Sequence, residues 1–375
     1  MEPGPRRARI GDVAREAGVS KTAVSFAFNS PGQLAPDTAA RIREIAESLG
    51  YMPRSTASRT TRASSMTIGL LAPQAPSVTF ADPVYAELCE GVADTTDDAG
   101  YGLLLVSALH GSLERVIGDR AVDGFVTVGL AESRPEMKLV RRAGLPMVLV
   151  DAEALPEHGS VDSSDEVGAR AAARHLFTLG HRRFAVVGIE PPDSPVAFGH
   201  AAGPARTVAS RRLAGYRQGL QAVSVRLGDS RVVAGPASFD GGVAALHRLW
   251  EDGLRPTAVL VMSDVMAEGV MWAARELGLR VPRDLSVVGF DDLALAAHAN
   301  PPLTTVRQPI RRKGAEATRM LLQMIEAPDR DRPEHRTLET RLVIRASTAP
   351  APAPAGEASG GDGRRRGAGE ALPRT

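Results

Sequence analysis

The 375-residue sequence predicts an α/β protein with a small all-α unit at its N-terminus. Three observations predict it. Residues 10–29 read as two short helices broken at Gly18. From Met66 onward, short apolar runs alternate with stretches of helical period. Those runs are too many for one compact sheet, so the core divides into two similar doubly wound subdomains. A chain of this length holds two or three domains.

The first helix has Val13, Ala14 and Ala17 on its apolar side, and the second has Val24 and Phe28. Gly18 supplies the positive φ of a tight turn. Ser20 is placed to cap the second helix by accepting from a backbone N–H two or three residues on. The second helix then presents Lys21, Thr22 and Ser25 outward, as a helix-turn-helix does toward a major groove. A small helical hairpin with a solvated face is the other reading. A third helix follows, with Ile42, Ile45, Ala46 and Leu49 at helical spacing, and Gly50 ends it. Pro36 suits its first position. Ala35 offers no side-chain acceptor there, which costs about 1 kcal/mol relative to Ser.

Residues 51–65 are polar and poor in hydrophobes, a linker or a helix that folds only against a partner. The core strands are expected at 67–72, 102–107, 124–128, 146–150, 184–188, 258–262 and 285–290. Helices are expected at 85–99, 166–179, 211–222, 241–252 and 265–277. Residues 190–209 form a long loop rich in Pro, Gly and Ala, a length that is usually functional or mobile. The tail from about Ala349 cannot bury a core, so disorder is expected; its arginines either touch DNA or are simply solvated.

Composition is that of a globular chain, 43% hydrophobic and 24% charged, with aromatics at only 4%. The net charge of +1 hides an asymmetry: residues 1–62 hold ten Lys/Arg against six Asp/Glu, leaving the remainder mildly acidic. A basic head on an acidic body fits a phosphate-binding module, although chance scatter gives the same count. The single cysteine, Cys89, excludes an intramolecular disulfide, fits a reducing cytoplasm and reads as a small buried helix residue. No apolar run is long enough to span a bilayer, and the arginines near the N-terminus lack the apolar segment of a secretory signal.

In open α/β sheets ligands lie beyond the carboxyl ends of strands. Asp151, Ser263 with Asp264, and Asp291 occupy such ends. An acid there either accepts from vicinal hydroxyls or caps the next helix.

These residues resemble the LacI/GalR family of bacterial repressors. Gly-Asp-Val-Ala-Arg-Glu-Ala-Gly-Val-Ser at 11–20 and Asn29 match its headpiece. The stretches 256–267, 284–292 and 301–309 match its effector core in the same order, and the likeness spans roughly 9–348. The resemblance implies a headpiece at 1–52, a hinge helix or linker at 53–65, a core at 66–348 similar to periplasmic sugar-binding proteins, and a tail at 349–375. The N-subdomain would take about 66–163 and 308–337, the C-subdomain about 164–307 and 338–348. It further implies a homodimer or higher assembly, a pseudo-palindromic DNA operator and a sugar-like small-molecule effector, with no cofactor and no metal.

Carried over by position, Lys21 and Thr22 would meet base edges, and Ser25 and Asn29 phosphate or base edges. Ser20, Thr38, Tyr51, Arg54, Ala57, Arg59 and Thr60 complete the implied DNA contacts. Phe26 stands where a polar reader is common, so it either meets a thymine methyl or packs. Thr60 replaces the usual leucine wedge, which implies a weaker bend and more affinity from Arg54 and Arg59. On the effector side the resemblance points to Tyr85, Arg212 and Asp291, and Gln308 lies on a segment crossing between the subdomains, suited to sensing closure. Ser263 stands where many members have asparagine. Effector would shift the population between two closures of the subdomains.

An enzyme is disfavoured because the chain lacks Gly-x-Gly-x-x-Gly after its first strand, a phosphate loop, clustered histidines and a Gly-x-Ser-x-Gly elbow. A solute-binding receptor without a DNA role would share the core, but residues 10–62 argue against it.

Overall fold

A computed structural model describes residues 10–29, 33–49, 64–107, 111–190, 207–327 and 333–352. The chain divides into two compact units, residues 1–65 and 66–375.

The first unit contains α1 (Ile10–Glu16), α2 (Lys21–Asn29) and α3 (Pro36–Ser48). Val13, Ala14, Ala17, Val24, Ala27, Ile42 and Ala46 form its core, with Val19, Phe28, Leu34 and Ile45 packed around it. Gly18 takes a φ of +63° at the turn. Ser20 Oγ accepts from the Ala23 N–H at 3.1 Å, so the expected cap is present. So small a core relies on polar ties. Arg41 donates to the Ala17 carbonyl and Arg43 to the Ala27 carbonyl, each at 3.1 Å. Both cations thereby sit at the carbonyl-bearing ends of α1 and α2, where the helix dipole favours positive charge.

In the second unit β1 (Thr67–Ala72), α4 (Pro76–Ala81), α5 (Pro83–Asp98), β2 (Gly102–Ser107), α6 (Ser112–Gly118), β3 (Gly124–Val128), α7 (Pro135–Arg142), β4 (Met147–Val150) and β5 (Gly159–Ser163) build the first half. The second half comprises α8 (Asp165–Thr178), β6 (Phe184–Ile189), α9 (Val208–Gln221), β7 (Val232–Gly235), α10 (Phe239–Glu251), β8 (Ala258–Val261), α11 (Asp264–Glu276), β9 (Ser286–Asp291), α12 (Ala294–His298) and β10 (Thr304–Arg307). The chain then returns through α13 (Ile310–Glu326), β11 (His335–Leu338) and β12 (Arg341–Val343).

Two six-stranded sheets result, β2-β1-β3-β4-β5-β11 and β7-β6-β8-β9-β10-β12. The orders are equivalent, so the core is two doubly wound halves of one design. Pairing is parallel throughout except β10 with β12. Both faces of each sheet are covered, which is why the central strands are continuous runs of buried Val, Leu and Ile.

The seven predicted strands are all present. The fifth extends one residue further than expected, to Ile189, and the last ends on Asp291 rather than before it. Strands β5, β7, β10, β11 and β12 lack a predictive signal: His335-Arg-Thr-Leu and Arg341-Leu-Val are partly exposed edges, and β10 buries threonines. Helix α13 was hidden by Arg311-Arg312-Lys313 at its start, yet Lys313 is fully buried on its inner face.

Helices pair closely, α5 with α13, α8 with α9 and α10 with α11. Glycines allow it: a Cβ on Gly91, Gly314, Gly215, Gly242 or Gly269 would overlap a backbone oxygen of the facing helix. The expected tail boundary needs correction. Residues 349–352 are held on the core, with Ala349 N–H donating to Ser286 Oγ (3.1 Å) and Ala351 N–H to the Leu179 carbonyl (2.7 Å). Their backbone groups find partners at a strand start and a helix end, which composition cannot show. The remainder of the tail, residues 53–63 of the linker and residues 191–206 of the long loop lie outside the described residues. Among the described residues no helix is long and apolar enough to cross a membrane.

Candidate functional site

Two places gather the predicted residues, one in each unit. On the first unit Lys21 and Thr22 are exposed on the opening turn of α2. The Lys21 stem runs past Gly11 of α1, whose absent Cβ would lie 3.3 Å from Lys21 Cε. Sequence reasoning had given Gly11 no role; here it leaves room for that lysine. Ser20 is exposed beside them, with its oxygen engaged in the cap. Ser25 and Thr38 are half-buried on α2 and α3. Phe26 is also half-buried and is not among the side chains packed on the headpiece core, a role Phe28 fills. Tyr51, Arg54, Ala57, Arg59, Thr60 and the side chain of Asn29 lie outside the described residues.

In the second unit a cleft of about 450 Å³ opens between the carboxyl ends of the two sheets. Segments following β1, β3, β4, β6, β7, β8 and β10, together with the last residue of β9, supply its wall. Tyr85, Asp151, Arg212, Ser263, Asp291 and Gln308 all line it. Asp264 does not. Its carboxylate points into the fold, accepting from Leu293 N–H (2.9 Å) and Thr305 Oγ1 (2.5 Å), and so ties α11 to β10. Burial raises its pKa well above the carboxylate norm.

The helix-cap reading of these strand-end residues does not hold. Ser263 precedes α11 but makes no capping bond. Asp151 and Asp291 precede no helix directly. Both instead adopt positive φ, +53° and +124°, at the ends of β4 and β9, which occupy the same place in the two sheet orders. A non-glycine residue is strained there, and such strain gathers at functional positions.

Around the base of the cleft the charges close into a ring. Arg212 Nε donates to Asp165 Oδ1 (3.0 Å), its Nη1 to the Met262 carbonyl, and its Nη2 lies 3.4 Å from Asp291 Oδ1. The guanidinium also stacks on Phe290, 3.7 Å from the ring centroid. Gln308 Nε2 donates to Asp291 Oδ1 (2.7 Å), and Gln308 Oε1 accepts from Lys313 (2.8 Å). Lys313 also donates to Asp151 Oδ2 (2.5 Å). Arg211 returns the ring to Asp165 (3.1 Å) and bonds Asp162 (3.2 Å). The halves of the core therefore share one charge network, crossing through Gln308.

Burial pushes Asp291 up to about 7 against the opposing pull of Arg212 and Gln308. It pushes Asp162 up to about 6 against Arg211. Tyr85 is likewise raised by burial and by the neighbouring Asp82 and Asp151. Asp291 Oδ2 and Asp151 Oδ1 are buried without a hydrogen-bond partner. Each is an acceptor presented by the wall of a cleft, the arrangement a hydroxyl or ammonium donor satisfies. Among the described residues no group of three or more His, Cys, Asp or Glu could hold a metal.

Sequence reasoning missed Asp165, Arg211 and Lys313. Lys313 had a readable signal, since it lies one turn from Ile310 and Ala317 on the apolar side of α13. Asp165 did not, because an acid at a helix start is ordinary.

The comparisons agree with this architecture. A profile described as "Bacterial regulatory proteins, lacI family" matches residues 9–54, and one described as "Periplasmic binding protein-like domain" matches 173–348. The HTH-type transcriptional regulator CelR of Thermobifida fusca is 31% identical over 350 residues, covering 91% of this chain and 98% of its own. The HTH-type transcriptional repressor PurR of Vibrio atlanticus (strain LGP32) is 32% identical over 335 residues, covering 87% and 94%. Among solved structures, a CelR–cellobiose complex aligns with TM-score 0.68 at 30% identity over 91% of this chain and 100% of that one. A lac repressor dimer bound to operator and the anti-inducer ONPF aligns with TM-score 0.69 at 26% identity over 92% and 100%.

Proposed function

The chain belongs to the LacI family of bacterial regulatory proteins, and from that premise we propose that it is an operator-binding repressor governed by a small polyhydroxylated effector. One observation carries the reading: the ring from Asp165 through Arg212, Asp291, Gln308 and Lys313 to Asp151 joins both halves of the core beneath a cleft. A ligand that donates to both Asp291 and Asp151, or displaces Gln308, contacts both halves at once. That supplies the differential affinity a closure equilibrium needs.

On the DNA side Lys21 and Thr22 read base edges from the start of α2, with Ser25 beside them. Phe26 meets an apolar base edge, supported by its absence from the headpiece core. Two copies related by a two-fold axis read the two halves of an inverted repeat. Arg54 and Arg59 contribute minor-groove affinity, and Thr60 gives a shallower bend than leucine would. The protein meets its operator in the cytoplasm, and no catalytic turnover is assigned to it.

Selection of duplexes from fragmented bacterial DNA by the purified protein tests this reading. The expected product is an inverted repeat whose binding weakens steeply with salt. Indifference to sequence would overturn it. On the selected operator, Thr60→Leu is expected to increase the bend angle; an unchanged angle removes the wedge argument.

A further inference from the structure

Five carboxylates line the described part of the cleft, Asp82, Asp151, Glu153, Glu190 and Asp291, against two guanidinium groups, Arg134 and Arg212. Both guanidinium groups are engaged. Arg134 makes two bonds to Glu136, at 3.1 and 3.3 Å. Arg212 is held between Asp165 and Asp291. Behind the wall, Lys313 is taken by Asp151 and Gln308, and Arg211 by Asp162 and Asp165.

Among the described residues, an anionic ligand would have to draw one of these cations from its carboxylate. Drawing Arg212 away would take the guanidinium partner from buried Asp291 and leave Asp165 with Arg211 alone, a cost the ligand's own contact has to offset. The opposite charge meets no such barrier. Asp291, 2% exposed, has a buried Oδ2 with no partner, and Asp151 Oδ1 has none nearer than Arg211 at 4.0 Å. A concave wall with surplus carboxylates concentrates negative potential on whatever enters.

Resting on the reading of this cleft as an effector site, we infer that the effector is a hydroxylated amine, such as an amino sugar. Its ammonium pairs with Asp291, and its hydroxyls donate toward Asp151 and the unused hydroxyl of Ser263. Phosphorylated and carboxylated compounds are rejected. The ammonium replaces no existing bond: it occupies an acceptor that the fold leaves open, so its gain is not reduced by breaking the ring.

The test is calorimetric titration of the full-length protein with matched sets in the gluco, galacto and manno series. Each set holds the neutral hexose, its 2-amino counterpart, the N-acetylated amine and the 6-phosphate. One free amine is expected to bind at least tenfold tighter than both its neutral parent and its N-acetyl form, with no binding of any phosphate. Its affinity should fall as salt rises, while that of a neutral sugar stays level. Asp291→Asn, checked for folding by its melting curve, should bring the amine-to-neutral ratio close to one. A neutral or phosphorylated sugar binding as tightly as its amine overturns the inference, as does failure of every amine. If a neutral sugar binds and releases operator DNA while the amine holds no advantage, the regulator reading stands and the inference alone fails.

Discussion

In the headpiece, the cations that tie helices together and the cation placed at the start of α2 are different side chains. Arg41 and Arg43, exposed like Lys21, bond carbonyls at the ends of neighbouring helices, while Lys21 stands on the opening turn of α2. In the core the same groups do both tasks. Arg212 lines the cleft and is 3% exposed, and its removal would strip buried Asp291 of its guanidinium partner and leave Asp165 with Arg211 alone. Stability and recognition should therefore separate in the headpiece and move together in the core.

The largest expected effect tests the joined case. Arg212→Met should destabilise the core by about 3–5 kcal/mol, the usual loss when one member of a buried ion pair is removed. Thermal unfolding should show the core midpoint lowered by on the order of 10 °C. Ligand binding should vanish in the same variant. A folded, stable Arg212→Met protein that has lost only ligand binding would break the comparison.

The pH dependence comes next. Burial raises Asp291 from its ordinary 3.8 to about 7 in the fold, so between those values the folded chain binds more protons than the unfolded one. Stability from this group therefore falls as pH rises through that window, with a slope of at most ~1.4 kcal/mol per pH unit, or about 2 kcal/mol from pH 5 to 6.5. Melting temperatures of the ligand-free protein and of Asp291→Asn, compared from pH 5 to 7.5, isolate it. The difference should move against the unsubstituted protein as pH rises; parallel curves would show that Asp291 is ionised throughout.

In the headpiece the expected effects are smaller and separable. Arg43→Met removes a charged hydrogen bond and should cost about 1.5 kcal/mol of headpiece stability, lowering operator and random-DNA affinity alike. Lys21→Ala should leave the headpiece melt within about 0.5 kcal/mol while changing affinity for operator. If both substitutions lower stability equally, the division of labour on α2 and α3 is wrong. Ser20→Ala is the mildest, about 1 kcal/mol through loss of the cap seen at Ala23, read from helical circular dichroism on warming.

The same contrast explains what was readable beforehand. Gly18, the Ser20 cap and the apolar side of α1 and α2 were readable because each depends on residues within about four positions. The central strands were readable because burial on both faces leaves an unbroken apolar run. Tyr85, Asp151, Arg212, Ser263, Asp291 and Gln308 were named in advance, and the structure brings them to one cleft. Asp264 shows the limit: its neighbour Ser263 faces the cleft, and only packing against Leu293 and Thr305 turns Asp264 away. Strand β11 and the docked residues 349–352 show it again, since neither is apolar enough to announce a partner.

By itself, then, the sequence determined the headpiece helices with their Gly18 turn and Ser20 cap, the central strands of the two-part core and the ends of strands where polar groups would gather. Tertiary structure alone decided which charges meet. Asp165 reaches Arg212 across 47 residues and Asp151 reaches Lys313 across 162. Helix and strand periods are local consequences of backbone geometry. Which buried charge neutralises which follows only once both sheets are wound and water has left the space between them.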